Sequence, residues 1–179
     1  MHRLFDVYRT KATQRYGLSE INQLEHALQA AWLTEEAGHS QALVVAALFH
    51  DVGHMVHALG EHPAADGVDD RHEVLGAKYL AKFFGPEVYE PVRLHVPAKR
   101  YLVTTDASYF SKLAPDSVES LVLQGGRMSD EEISDFTRQP FWRDALILRR
   151  MDEEVKVPGL PTPPLDHFLF IAETVQESS

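Results

Sequence analysis

Ala42-Leu-Val-Val-Ala-Ala-Leu-Phe-His-Asp-Val-Gly-His54 is the stretch on which the reading of this chain turns. An unbroken apolar run leads straight into the adjacent His50 and Asp51. A histidine and a carboxylate are costly to bury unless something compensates them, and a metal ion compensates both at once. The pattern from about Gln41 to Leu59 is that of the most hydrophobic helix in the chain. On such a helix His50 and His54 lie one turn apart on one face, with Asp51 rotated by about 100°. His50 and Asp51 then both reach a cavity that the helix borders.

Further candidate ligands lie on either side: His26 upstream, His72 and His95 downstream, and Asp152 near the end of the last strongly apolar helical run before a proline-rich connector. Six nitrogen and oxygen donors are more than one ion needs, so a two-metal centre is the economical reading. A carboxylate can bridge two ions, and Asp51, next to a ligand histidine, is the natural bridge. His26, His50 and Asp152 complete one position, and His72 and His95 the other, which keeps open coordination sites. His2, His39, His57, His62 and His167 belong to no such pattern and read as ordinary surface or hydrogen-bonded histidines.

Around these residues the periodicity is helical throughout. Ile21, Leu24, Leu28, Ala31 and Trp32 recur at helical spacing up to Gly38. Gly60 to Asp70 reads as a surface loop, and His72 opens a helix to about Phe84 before Gly85-Pro86. His95 ends a shorter apolar run. Ser117 to Leu123 is a short helix stopped by Gly125-Gly126, Ser129 is an N-cap before Asp-Glu-Glu, and Phe141 to Met151 forms another helix. Val157 to Pro164 connects to a short terminal helix. No alternating pattern long enough for a sheet is present. The expected fold is all-α, a single domain over residues 1–179 built as a bundle of about seven helices.

The chain has 179 residues, 44% of them hydrophobic, with net charge −10 and no cysteine. Thiolate ligands and a cysteine nucleophile are excluded. The acidic balance argues against a nucleic-acid surface, and no apolar run reaches the roughly 18 residues of a membrane span. With a polar N-terminus, a cytoplasmic protein is expected. Any anionic ligand must therefore meet local cations. Arg149, one turn before Asp152, can grip an oxyanion bidentately, and Lys99, one turn after His95, can do so from the opposite wall. Arg100 and Arg150 read as solvated. Ser117, Ser120 and Gln124 share a helix face and are either neutral hydrogen-bonding groups for a ligand or simply polar residues facing water.

His26…His50-Asp51 resembles the signature of the HD-domain superfamily, mostly metal-dependent phosphohydrolases on an all-helical fold. Over nearly the whole chain the similarity is closer to the mixed-valent di-iron oxygenases of organophosphonate catabolism. It is carried by Ile21-Asn-Gln-Leu-Glu-His-Ala-Leu-Gln29, Ala46-Ala-Leu-Phe-His-Asp-Val-Gly-His54, His72-Glu-Val-Leu-Gly-Ala-Lys-Tyr-Leu80, His95-Val-Pro-Ala-Lys-Arg-Tyr-Leu-Val103 and Gln124-Gly-Gly-Arg-Met128. The last two stretches do not belong to HD hydrolases in general. The resemblance implies an Fe(II)/Fe(III) pair on His26, His50, Asp51, His72, His95 and Asp152, with O2 as co-substrate. It places His54, Lys99, Ser117, Ser120, Gln124 and Arg149 around a small organophosphonate, and gives Tyr16 the role of guarding the open iron position until substrate arrives.

One position departs from the family pattern. Members that oxidise a primary amine carry a glutamate three residues after the tyrosine, where this chain has Ser19, followed by Glu20. A trimethylammonium group offers no N–H to a carboxylate and needs more room. The resemblance thus implies an oxygenase that cleaves the C–P bond of (R)-1-hydroxy-2-(trimethylammonio)ethylphosphonate to glycine betaine and phosphate. The alternatives are a 2-amino-1-hydroxyethylphosphonate dioxygenase giving glycine, an HD phosphohydrolase, and a non-catalytic nucleotide-binding HD module.

Overall fold

A computed structural model describes residues 2–10, 12, 21–56, 67 and 69–178. Its elements are all helices: α1 (His2–Thr10), α2 (Gln23–Glu36), α3 (Gln41–Phe49), α4 (Val52–Val56), α5 (His72–Leu80), α6 (Pro86–Thr105), α7 (Ala107–Phe110), α8 (Pro115–Leu123), α9 (Asp130–Thr137), α10 (Trp142–Glu154) and α11 (Leu165–Ser178). The all-α expectation therefore holds among the described residues, with more and shorter pieces than expected.

Helix α3 is the axis of the molecule. Every residue from Leu43 to Phe49 is buried, and the helix packs on α2, α6 and α11, while α10 lies across α6 and α2. Fully burying each Leu, Val or Phe is worth roughly 1.5–3 kcal/mol, so this segment anchors the core. Phe49 meets the edge of Tyr8 from α1 at 4.9 Å between centroids and stacks on Phe84 at 6.1 Å. The residues that follow it are thus set at the end of a rigid rod.

The helix expected to continue to Leu59 instead breaks at His50 and Asp51, and restarts as α4. His50 turns its Nδ1 onto the carbonyl of Ala47 at 2.8 Å, three residues back, and Asp51 supplies the carbonyl that caps His54 N at 3.0 Å. His95 does not end an apolar run. It sits mid-way along α6, which continues through Pro91 and Pro97, although each proline removes a backbone donor from the helix ladder. The terminal helix is also longer than expected, at 14 residues.

Caps delimit the elements as their residue types require. Asn22 accepts from Glu25 N at 2.9 Å while Glu25 accepts from Asn22 N at 3.0 Å, a reciprocal capping box that fixes the start of α2. Ser129 and Glu132 repeat it at α9. At α5 the cap is Arg71, in the left-handed region at φ 49°.

Helices α4 and α5 touch through glycine. A Cβ on Gly53 would lie 2.0 Å from the carbonyl oxygen of His72, and one on Gly76 would lie 3.2 Å from Gly53 N. Backbone cannot give way as a flexible side chain can, so the crossing exists only because no Cβ is there. Gly53→Ala is expected to destabilise the protein by at least about 1–3 kcal/mol, the usual range for overpacking. Urea unfolding checks this, with Gly38→Asn as reference, since Gly38 has φ +74° but nothing within 4 Å of an added Cβ.

Candidate metal centre

Six side chains converge from five places in the fold: His26 from α2, His50 and Asp51 from the α3–α4 break, His72 at the start of α5, His95 from α6 and Asp152 from α10. All six are buried. In each histidine Nδ1 faces an oxygen: His26 the carbonyl of Val155 at 2.9 Å, His50 that of Ala47 at 2.8 Å, His95 that of Val92 at 2.7 Å, and His72 the Asp70 carboxylate at 2.9 Å. A carbonyl or carboxylate oxygen only accepts, so Nδ1 carries the proton in all four rings, and a neutral ring then keeps a lone pair on Nε2.

Those lone pairs meet head to head. His26 Nε2 lies 3.2 Å from His50 Nε2, and His72 Nε2 lies 3.1 Å from His95 Nε2. Asp152 Oδ1 stands 3.0 Å from His26 Nε2 and 3.6 Å from His50 Nε2. The two oxygens of Asp51 divide between the clusters. Oδ2 is 3.3 Å from His50 and 3.9 Å from His26, whereas Oδ1 is 3.8 Å from His72 and 3.9 Å from each of His95 and His54. Asp51 Oδ2 and Asp152 Oδ1 are buried without a hydrogen bond.

Facing acceptors with no proton between them repel, and a cation at each cluster removes the conflict. Without one, protons must serve. Burial alone would lower the His50 pKa, but the Asp51 and Asp152 carboxylates outweigh it and raise it to about 10. Burial would likewise raise the Asp152 carboxyl, yet Arg149 and the neighbouring imidazoles hold it well below the usual range. The donor set of imidazoles and carboxylates suits iron or zinc, and two groups, His26 with His50 and Asp152, and Asp51 with His54 and His72, each bring ligand atoms within 4.8 Å of one another.

Beside this centre lies a second, cationic network. Arg149 donates through Nε to Tyr109 Oη at 2.8 Å and through Nη2 to Ser117 Oγ at 3.0 Å, and also pairs with Asp152 and Glu153. Lys99 Nζ donates to Ser120 Oγ at 2.8 Å. Burial, and then the charge of Arg149, lowers the Lys99 pKa to about 7. Lys99, Ser117, Ser120 and Arg149 are therefore gathered in one place, as an anion site requires. Gln124 closes α8 with its Oε1 buried and unbonded. His54 is half-buried and stacks on His72 at 3.9 Å. Tyr16, Ser19 and Glu20 lie outside the described residues.

Three participants went unread in the sequence. Asp70 accepts from both His72 and His54. Its signal was available, since a histidine ligand needs an acceptor for its second nitrogen and Asp70 sits two residues before His72. Glu153 sits one turn after Arg149, a spacing at which carboxylate and guanidinium meet. Tyr109 left no signal. Arg100, expected in solvent, instead donates to Gly126 O at 3.0 Å and to Glu132 at 2.6 Å, tying α6 to the turn after α8. Arg150 is half-exposed and pairs with Asp106 at 3.1 Å, close to expectation.

The HD domain family model matches residues 23–152, a span that opens at α2 and closes on Asp152. The chain is 43% identical to the hydroxymethylphosphonate dioxygenase of Gimesia maris, over 98% of this chain and 88% of that protein. It is also 36% identical to the glycine-betaine-forming [1-hydroxy-2-(trimethylamino)ethyl]phosphonate dioxygenase of Leisingera caerulea, over 90% of this chain and 83% of that protein. The chain belongs to the HD-domain oxygenase family. It is accordingly an enzyme, and among the described residues no helix is long and apolar enough to cross a membrane.

The buried lysine provides a pH test. A Lys99 pKa near 7 leaves the ammonium charged below that pH and neutral above it. Sulfate, dianionic throughout, should bind progressively less well as pH rises through about 7, by roughly tenfold or more if one charged hydrogen bond of about 1.5–3 kcal/mol is lost. Calorimetric titration from pH 6 to 9 measures this, and Lys99→Met should flatten the profile at the weaker affinity.

Proposed function

We propose that the protein is an O2-dependent di-iron oxygenase that cleaves the C–P bond of a 1-hydroxyphosphonate. The observation that carries this reading is the two pairs of opposed Nε2 atoms at 3.2 and 3.1 Å with a carboxylate oxygen of Asp51 turned towards each. His26, His50 and Asp152 would hold one ion, His72 and His95 the other, and Asp51 would bridge them. The Fe(II)/Fe(III) pair, when bound, supplies redox chemistry with O2 that no protein side chain provides.

The chain's own groups account for the rest. Lys99, Ser117 and Arg149 bind the phosphonate oxygens through charged and neutral donors already fixed before substrate arrives. Ser120 holds the Lys99 ammonium, and Tyr109 and Glu153 hold the guanidinium plane of Arg149. Burial of the six residues that would hold the ions keeps bulk water from those side chains. Arg149 touches both Asp152 and Ser117, so an anion held there would lie beside the residues that would hold the ions.

Hydroxymethylphosphonate is the substrate favoured by the 43% identity to a dioxygenase of that name across 98% of the chain. The reaction balances as hydroxymethylphosphonate dianion plus O2 giving formate and dihydrogen phosphate. Ser19 in place of glutamate fits a substrate with no amine to bind. It also fits a trimethylammonium group, which keeps (R)-1-hydroxy-2-(trimethylammonio)ethylphosphonate as the second reading, supported by the 36% relative. The ratio of kcat/KM for these two compounds and for 2-amino-1-hydroxyethylphosphonate decides among them, and the primary amine should be the poorest.

Protein loaded with iron should carry about two ions per chain. Asp51→Ala should lose both together by metal analysis, and retention of one full ion in that variant would remove the bridge. Phosphate should appear only with O2 present and in proportion to O2 consumed. Equal release under anaerobic conditions, or a phosphate ester as the better substrate, would make the protein a hydrolase instead, and no turnover of any of these compounds would favour a binding module.

A further inference from the structure

Two consecutive arginines of α10 hold Tyr109. Arg149 donates through Nε to its hydroxyl oxygen at 2.8 Å, while Arg150 lies over its ring at 5.9 Å and pairs with Asp106 at 3.1 Å. Asp106 is the N-cap of α7, accepting from Ser108 N at 3.0 Å and from Ser108 Oγ at 2.7 Å. The ring itself packs with Leu102, Val103 and Leu121. The short helix α7 thus delivers one buried phenol, with its hydroxyl fixed against the guanidinium that faces the candidate anion site.

A phenol has one proton to donate and an oxygen that accepts. Arg149 fills an acceptor position, and among the described residues the Tyr109 proton meets no acceptor of its own. The neighbouring hydroxyls differ. Ser120 donates to Asp116 O at 2.9 Å and Ser117 donates to Glu153 Oε2 at 3.1 Å, so an incoming anion would have to draw either proton away. The Tyr109 proton is not committed in this way. Buried donors are nearly always paired, because an unpaired one forfeits its hydration. Tyr109 is 4% exposed. Burial, against the opposing charge of Arg149, raises its pKa to about 12, so the hydroxyl keeps its proton around neutral pH.

We propose that Tyr109 is a further anion-binding residue, whose hydroxyl accepts from Arg149 and donates to an oxygen of the same phosphonate that Arg149 and Lys99 neutralise. The inference rests on the anion-site reading above. A neutral donor suits this position. Lys99 and Arg149 are buried cations close enough for the charge of one to lower the pKa of the other, and a third would add repulsion, whereas a hydroxyl adds a hydrogen bond and no charge.

Calorimetric titration with sulfate at about pH 6, where Lys99 is charged, tests this on the iron-loaded protein. Tyr109→Phe keeps the ring and removes the hydroxyl, and should weaken sulfate by about 10- to 100-fold, the range for one hydrogen bond to a charged group. Tyr79→Phe, whose ring packs on Phe83, should match wild type. Because Tyr109→Phe also takes an acceptor from Arg149, two further variants separate the roles. In an Arg149→Met background the same loss should recur, since the hydroxyl meets the anion itself. Tyr109→3-fluorotyrosine makes the phenol a stronger donor and a weaker acceptor, and should tighten sulfate binding.

Unchanged sulfate affinity in Tyr109→Phe overturns the assignment. A loss that disappears in the Arg149→Met background, or weaker binding with 3-fluorotyrosine, also overturns it, leaving Tyr109 a positioning residue for the guanidinium and the anion site standing. Where Arg149→Met binds too weakly to titrate, the direction of the 3-fluorotyrosine effect decides alone. A wild type that takes up no sulfate overturns the anion-site reading and this inference with it.

Discussion

The structure depends on where four imidazole protons sit. Each of His26, His50, His72 and His95 commits its Nδ1–H to an oxygen of the scaffold, so that four Nε2 lone pairs converge on a buried volume flanked by two carboxylates. Two of those anchors are carbonyls three residues back in the histidine's own helical segment, Ala47 for His50 and Val92 for His95. Ring orientation is thus set by local backbone, and only the relative placement of helices remains for tertiary packing to supply. The buried rod of α3 and the glycine crossing of α4 on α5 do that.

The six residues that converge were legible in the sequence because their chemistry is intolerant of substitution by residue type. A histidine and an aspartate at the end of an apolar helix need compensation wherever they are, and the search for further donors recovers His26, His72, His95 and Asp152 without any geometry. The supporting residues were less legible for a physical reason. Asp70, Glu153 and Tyr109 act by hydrogen bonds whose partners are near only in the folded chain, and an acidic residue in a Gly-Pro-Ala-Asp stretch looks like any loop. Arg100 was misread for the same cause, since the carbonyls that receive it belong to a turn some 25 residues away.

The helix boundaries failed in an instructive way. Periodicity ran smoothly through His50 and Asp51, and nothing in residue type marked a break, since neither a proline nor a glycine stands at it. Conversely, the apolar run expected to end at His95 continues as α6, which also carries Pro91 and Pro97 within it. Tertiary packing on α3, α5 and α10 outweighs the lost ladder bonds, and His95 gains a rigid helix interior as its platform.

Arg149 stands between two binding events. One guanidinium edge is engaged by Asp152, a carboxylate of the candidate metal centre, and the other reaches Ser117 on the candidate anion site. A cation that draws charge from Asp152 leaves more of the positive field of Arg149 for an incoming anion. On the proposed function the two occupancies would form a heterotropic pair, and reciprocity requires that whatever the ions add to anion affinity, the anion adds to retention of the ions. On the proposed reading, substrate would also be a guard on its own cofactor.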